Sequence, residues 1–320
     1  MNLSVVVIGK NSQKTLKDCI LYLNNAIENS VCINKFEIIY VDSNSSDRSV
    51  HIANELKIIT IEIVDGYTTA SLGRYLGKKY AKYENLIFLD SDMFLDKYWF
   101  DKSLKSYEKY GAVIGERHEK LYKDDALVKE VPKFYNIKKV EMTLNIGGFL
   151  MIKKNIIEDI NYTPIIRNEE EKDFYAKFYD QAKIYKIPVL AYIHNNSNLT
   201  NSRIKDYLDP YAKNGYILSL INSISKGYFK NYFSLQRKYL ISILVSSICY
   251  IVIINGSFLG VAGLLILLFN GKKQLKGSLM TALFFPYKLI MSLIFLSKNR
   301  STKYIYKNKV YVEAIRLLKK

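Results

Sequence analysis

Short apolar runs alternate with helical periodicity through the first hundred residues. Residues 3–8 (LSVVVI) form a β-branched run of strand length, stopped by Gly9-Lys10-Asn11 too early to be the apolar core of a cleavable leader. Residues 12–26 follow, with Leu16, Ile20, Leu23 and Ile27 at helical spacing. Residues 36–41 (FEIIYV) predict a second strand, ending in the polar cluster Asp42-Ser43-Asn44-Ser45-Ser46-Asp47. That cluster leads into a helix through Val50, Ile52 and Leu56. A third strand is predicted at 58–64, a helix at 71–83, and a fourth strand at 85–89 (NLIFL) running into Asp90-Ser91-Asp92. Residues 188–193 read as a later strand. Strands alternating with helices at this spacing imply an α/β domain over residues 1–200, with a mostly parallel sheet covered on both faces.

The pattern changes after residue 200. Residues 201–236 read as an amphipathic helical linker. Residues 239–269 then run 31 positions without a charge, broken only by Asn255-Gly256-Ser257. As one helix this stretch is roughly 46 Å long against a hydrocarbon core of about 30 Å, and each half alone is too short to cross. Arg237-Lys238 before it and Lys272, Lys273 and Lys276 after it resist translocation. A re-entrant hairpin satisfies these facts; a single tilted span is the rival. Residues 277–297, with Pro286 and Lys288 near the middle, suit an interfacial helix. Residues 298–320 add a polybasic tail suited to anionic lipid.

Charge sharpens this division. The chain carries a net +17, of which residues 1–200 supply +1 and residues 201–320 supply +16. With 49% hydrophobic residues and five prolines, disorder and collagen are excluded. Cys19, Cys32 and Cys249 have no metal-ligand spacing and read as small apolar residues of a reducing compartment. The basic residues of the tail flank apolar runs and show no zinc, helix-turn-helix or single-strand-binding signature, so a membrane surface rather than nucleic acid is the expected partner. A buried core hairpin needs partner elements that the sequence does not supply.

Ligands of open α/β sheets bind at the carboxyl ends of the strands, where Asp42 and Asp90 fall. Asp90 and Asp92, two apart in a tight turn, suit a hard divalent cation that holds a diphosphate. Such pairs also occur in plain solvated turns, but here a buried apolar strand precedes and no lysine lies within five residues of Asp90.

Six ordered blocks, SVVVIGKN, EIIYVDSNSSDRS, GRYLGKKYAKYENLIFLDSD, NIGGFLMIKK, NEEEKDF and IPVLAYIHN, together resemble a family 2 glycosyltransferase of the GT-A fold over roughly residues 1–200. The densest block places Arg74, Gly77, Ala81 and Glu84 on the family pattern. The resemblance implies an inverting transfer from a nucleoside-diphosphate sugar with Mn²⁺ or Mg²⁺. It implies that Asp42 and Ser43 meet the nucleotide, that Arg74, Ser91 and the Asp90/Asp92 pair meet the diphosphate and metal, and that His194 completes the metal site. It further implies Glu171, with Glu170 in reserve, as the catalytic base, and Gly147-Gly148 as lining of the acceptor cleft. Three departures stand out: no proline in the turn at 8–10, Ser43 where a second acid is frequent, and Tyr75 after Arg74.

Each residue also has a plainer reading. Glu169-Glu170-Glu171 suits a solvated first helical turn, His194 a strand end, Arg74 a surface arginine, and Gly147-Gly148 a bulge. An enzyme at the cytoplasmic face of the cell membrane has reason to be there if its acceptor is a lipid-linked saccharide or cell-surface glycan. Polyprenyl phosphate is the close alternative acceptor, and a non-catalytic membrane adaptor that keeps the fold is the reading from another class.

Overall fold

The computed structural model describes residues 1–63, 68–196, 215–237, 240–241, 290–291, 293–294 and 315–318. The chain divides into two compact units: Met1–Ile166 with Glu170–Thr200 and Ile305–Lys320, and Arg167–Glu169 with Asn201–Tyr304.

The first unit is built on one mixed sheet. Its parallel centre comprises β1 (Asn2–Gly9), β2 (Lys35–Asp42), β3 (Ile59–Ile63) and β4 (Asn85–Asp90), in the order β3-β2-β1-β4. Leu3 to Val7 of β1 are fully buried, as expected of a strand covered on both faces. The crossovers are α1 (Leu16–Glu28), α2 (Ser49–Glu55) and α3 (Ala70–Tyr80). α1 starts four residues later than its periodicity suggests, because 12–15 form a turn in which Thr15 and Leu16 donate to the Ser12 carbonyl. α3 ends at Tyr80, where Ala81 turns extended. Gly77 is the reason α3 lies so close to β1, since a Cβ there falls 2.0 Å from Val6 Cγ1.

Beyond β4 the expected mostly parallel sheet is corrected. β9 (Leu150–Lys153) runs antiparallel to both β4 and β6 (Ala112–Lys123), and β10 (Tyr185–Asn196) returns parallel to β6. Short β5 (Met93–Leu95), β7 (Ala126–Val131) and β8 (Glu141–Met142) add further antiparallel pairs. Antiparallel strands need no helical crossover, and only α4 (Trp99–Tyr110) and α5 (Glu170–Phe178) lie in this half among the described residues. α4 stops at Gly111, whose φ of 72° gives the left-handed cap. Pro188 inside β10 accompanies a register shift between Lys186 and Leu190, since proline cannot donate to the ladder. α1 packs with α2 and α4, and α3 with α5.

At the far edge β11 (Ile315–Leu318) pairs antiparallel with β3, so four residues of the stretch read as a polybasic tail form a strand. The second unit contains α6 (Gly215–Ser225) and a helical segment at 229–237, within the expected helical linker. The hairpin expected at 239–269 and the interfacial helix at 277–297 lie outside the described residues, apart from 240–241, 290–291 and 293–294. Among the described residues no helix is long and apolar enough to cross a membrane. Cys19 is buried, Cys32 is half-buried and both are free.

Candidate active site

The carboxyl ends of β2, β1 and β4 lie side by side because the register sets Gly9 opposite Asp42 and Ile8 opposite Asp90. The chain turns away from the ends of β2 and β4 through two matching bonds: Ser43 N donates to Gly9 O and Ser91 N to Ile8 O, each at 2.9 Å. A Cβ on Gly9 would meet Ser12 Oγ at 2.5 Å and Ser91 Oγ at 2.7 Å, so glycine leaves room for this hydroxyl cluster. Asp42 is fully buried and its oxygens are engaged locally. Oδ1 accepts from the Tyr40 hydroxyl at 3.0 Å and the Ser45 hydroxyl at 2.5 Å, while Oδ2 accepts from Ser45 N at 2.8 Å. It thus shapes the turn after β2.

Arg74 is the hub. α3 is capped by Thr69, whose hydroxyl accepts from Leu72 N at 2.9 Å. One turn later the Arg74 guanidinium is 2% exposed. Its Nη2 donates to Asp90 Oδ1 at 2.7 Å and Nη1 to Glu170 Oε1 at 3.0 Å, and Glu171 Oε1 stands 3.7 Å from Nη2. The guanidinium also lies 5.7 Å from the centre of the Tyr162 ring. Burial opposes its charge, but Asp90 and then Glu171 outweigh that and hold it firmly cationic.

One cation serves three carboxylates, and the proton affinities of Asp90 and Glu171 show the shortfall. Burial, together with Asp92 and Glu170, pushes Asp90 up to about 6 despite Arg74. Burial and then Glu170 push Glu171 up to about 8, again against the pull of Arg74. Glu170 Oε2 is buried without a hydrogen-bond partner. Glu171 can therefore take up a proton near neutral pH, which a solvated first-turn glutamate does not do.

The Asp-x-Asp pair is divided between two neighbourhoods. Asp90 turns to Arg74, and Gly148 leaves space for it, since a Cβ on Gly148 would stand 2.1 Å from Asp90 Oδ2. Asp92 instead faces His194, with Oδ2 3.4 Å from Nε2. Register sets His194 opposite Met93 on β5 and Glu119 on β6, and its Nδ1 is 2.9 Å from Glu119 Oε2. Burial works against a charged His194, but Asp92 and then Glu119 raise its proton affinity above the ordinary value.

Glu119 was not legible as a site residue. It is 2% exposed, pairs with Arg117 Nε at 2.6 Å, and accepts from Asn196 Nδ2 at 3.0 Å. Its only sequence signal is a charge within a strand, which Arg117, His118 and Lys120 around it obscure.

Among the described residues no group of three or more His, Cys, Asp and Glu side chains stands in metal-holding geometry. The pair Asp92 and His194 nevertheless fits a divalent cation. Asp92 Oδ1 is buried without a hydrogen-bond partner, Oδ2 and Nε2 face one another, and Glu119 orients the ring from behind, as a carboxylate behind a ligating histidine does.

Residues 4–160 match glycosyl transferase family 2. The uncharacterized glycosyltransferase YfnE of Bacillus subtilis (strain 168) is 26% identical over 226 residues, 64% of this chain and 55% of that protein, so the chain spans about half the length of this curated relative. Two crystal structures of S. aureus TarS 1–349 share the fold. The complex with UDP-GlcNAc has a TM-score of 0.52 at 15% identity, over 74% of this chain and 72% of that one. The complex with UDP has a TM-score of 0.51 at 17% identity, over 76% and 75%. Residues 4–160, just under half of the chain, thus carry the likeness to glycosyl transferase family 2.

Proposed function

We propose that the first unit transfers a sugar, with inversion, from a nucleoside diphosphate to an acceptor hydroxyl. The observation that carries this reading is the meeting of Arg74 with Asp90, Glu170 and Glu171 at the carboxyl end of the parallel strands. In this reading the turn built by Asp42 and Ser43 forms the wall for the nucleotide, and Ser91 with the hydroxyls beside Gly9 flanks the diphosphate. Arg74 holds Asp90 in place and balances the acids against the incoming anion. Asp92 and His194 would hold a Mn²⁺ or Mg²⁺ ion, which when bound supplies positive charge to the departing diphosphate. Glu171 accepts the proton of the attacking hydroxyl, and Glu170 keeps Glu171 basic by its nearby negative charge. Gly147-Gly148 leave the cleft open beside Asp90.

A membrane-linked acceptor, at the cytoplasmic face of the cell membrane, is proposed on the apolar stretch at 239–269 and on one described feature. In the helical segment 229–237, Phe229 and Phe233 are exposed with ring centres 5.9 Å apart, beside exposed Lys226, Lys230 and Arg237. An apolar and basic face of this kind suits an anionic bilayer surface.

The test is thermal melting of the full chain with a panel of nucleoside diphosphates, with and without Mn²⁺, followed by donor turnover. A melting increase for one nucleotide that grows with Mn²⁺ is expected. No shift with any of them, and no donor turnover, would remove the glycosyltransfer reading.

A further inference from the structure

A second constellation lies on the other side of the two glycines. Glu116 on β6 is 6% exposed, and its charge is spent on backbone amides. Oε1 accepts from Arg117 N at 3.0 Å and Tyr135 N at 2.7 Å, and Oε2 accepts from Ile137 N at 2.8 Å. Phe134 N adds a bond to Arg117 O at 2.9 Å. A buried carboxylate with three amide donors fixes the 134–137 segment in one shape, an expensive device for a surface loop.

What that loop presents is aromatic. Phe134 is 47% exposed, with one side of its ring covered by the Arg117 guanidinium at 3.8 Å. Tyr135 packs edge-on against it at 5.3 Å. Beneath them Tyr192, Phe149 and Trp99 continue the packing into the core.

The loop adjoins the proposed reaction centre through Gly147 and Gly148. A Cβ on Gly147 would stand 3.1 Å from Tyr135 Oη, while one on the next residue would strike Asp90 Oδ2. Arg117 provides a second link, through Glu119 to His194. Sheet order separates the two ends of the site: Asp42 is on β2, Asp90 on β4, and the aromatic loop hangs from β6 beyond β9. The nucleotide side and the aromatic side are therefore opposite flanks of Asp90.

We propose that Phe134, supported by Tyr135 and Arg117, is the platform on which a saccharide ring of the acceptor lies. A sugar presents a C–H face that packs on an aromatic face, while its hydroxyls reach polar groups at the rim, here Tyr135 Oη and Lys186, whose Nζ stands 4.4 Å from the Tyr135 ring centre. A half-exposed aromatic held in place by its loop, whose neighbour Tyr135 borders Gly147 next to the glycine that packs on Asp90, supplies binding area at little entropic cost. This inference rests on the glycosyltransferase reading for its choice of ligand, and its test separates the two.

The test uses the full-length protein and saturation-transfer NMR. The probes are methyl β-glycosides of glucose, galactose, N-acetylglucosamine and N-acetylgalactosamine, and the corresponding disaccharides. The wild type is expected to bind at least one probe, and Phe134→Ala to weaken that binding about tenfold, the loss usual for a central aromatic contact. Phe134→Tyr should restore it. The melting shift with nucleoside diphosphate should be the same in all three proteins. No saccharide binding by the wild type, or equal binding by Phe134→Ala, overturns the platform. A Phe134→Ala protein that loses the nucleotide shift as well also overturns it, assigning the loop to the donor. Loss of the nucleotide shift in the wild type instead strikes the glycosyltransferase reading itself.

Discussion

Glu171→Gln is expected to make the protein more stable and less active at once. Between pH 4.5 and about 8, folded Glu171 holds a proton that the unfolded chain has released. By linkage, folding stability therefore falls as pH rises through that window, and the full penalty is present above pH 8. The gap is worth about 5 kcal/mol as a ceiling at 1.4 kcal/mol per pH unit. Glu170 and Asp90 share Arg74 with Glu171, so the coupled acids relax together and about half of the ceiling, ~2–3 kcal/mol, should reach the measured stability. Glutamine keeps the shape and cannot ionise. Thermal melting of wild type and variant across pH 4–9 should give near-coincident midpoints at the acid end, below the unfolded value of 4.5. At pH 9 the variant should melt about 5–10 °C higher. Transfer should fall by about 10²–10⁴-fold, the usual worth of a general base. Parallel melting curves at all pH values would refute the reasoning, because they would mean that Glu171 ionises in the fold as it does in water. A stabilised variant with full turnover would leave the electrostatics standing and move the base elsewhere.

The same proton affinity implies that kcat/KM with Mn²⁺ present rises with pH through a midpoint at about 8 and levels off above it, since a base at Glu171 must be ionised to act; a flat profile from pH 6 to 9 would argue against it as the base. Arg74→Met strands Asp90, Glu170 and Glu171 without their cation and should cost about 3–5 kcal/mol in denaturant melts at pH 8, less at pH 5 where Asp90 and Glu171 hold protons. Asp92→Ala should shift stability by less than about 1 kcal/mol while abolishing the Mn²⁺-dependent part of the nucleotide melting shift, because Asp92 Oδ1 has no hydrogen-bond partner and Oδ2 only the 3.4 Å approach of His194, which keeps Glu119. Gly148→Ala forces Asp90 away from a Cβ only 2.1 Å from Oδ2 and should cut turnover at least about tenfold, checked by steady-state assay against a circular-dichroism control for folding.

Much of the first unit was legible locally. The β-branched runs at 3–8, 36–41 and 85–89 became β1, β2 and β4 within a residue or two, because a strand buried on both faces must be apolar throughout. The acids following two of those runs could be placed at the carboxyl edge of the sheet for the same reason. The sense of the sheet beyond β4 was not legible. Residues 150–152 are as apolar as a parallel strand, and only pairing with β4 and β6 sets their direction.

The sequence by itself determined which side chains end the strands, and so which acids could meet a diphosphate. Only the tertiary structure decided how they divide their work. Arg74 is 16 residues from Asp90 and 96 from Glu170, and Glu119 is 75 from His194, so these contacts arise from helix docking and strand register and leave no periodic trace in the chain. The proton affinities follow the same logic: they depend on how much water the fold removes around each carboxylate and how many acids share one guanidinium, quantities that exist only once the chain has closed.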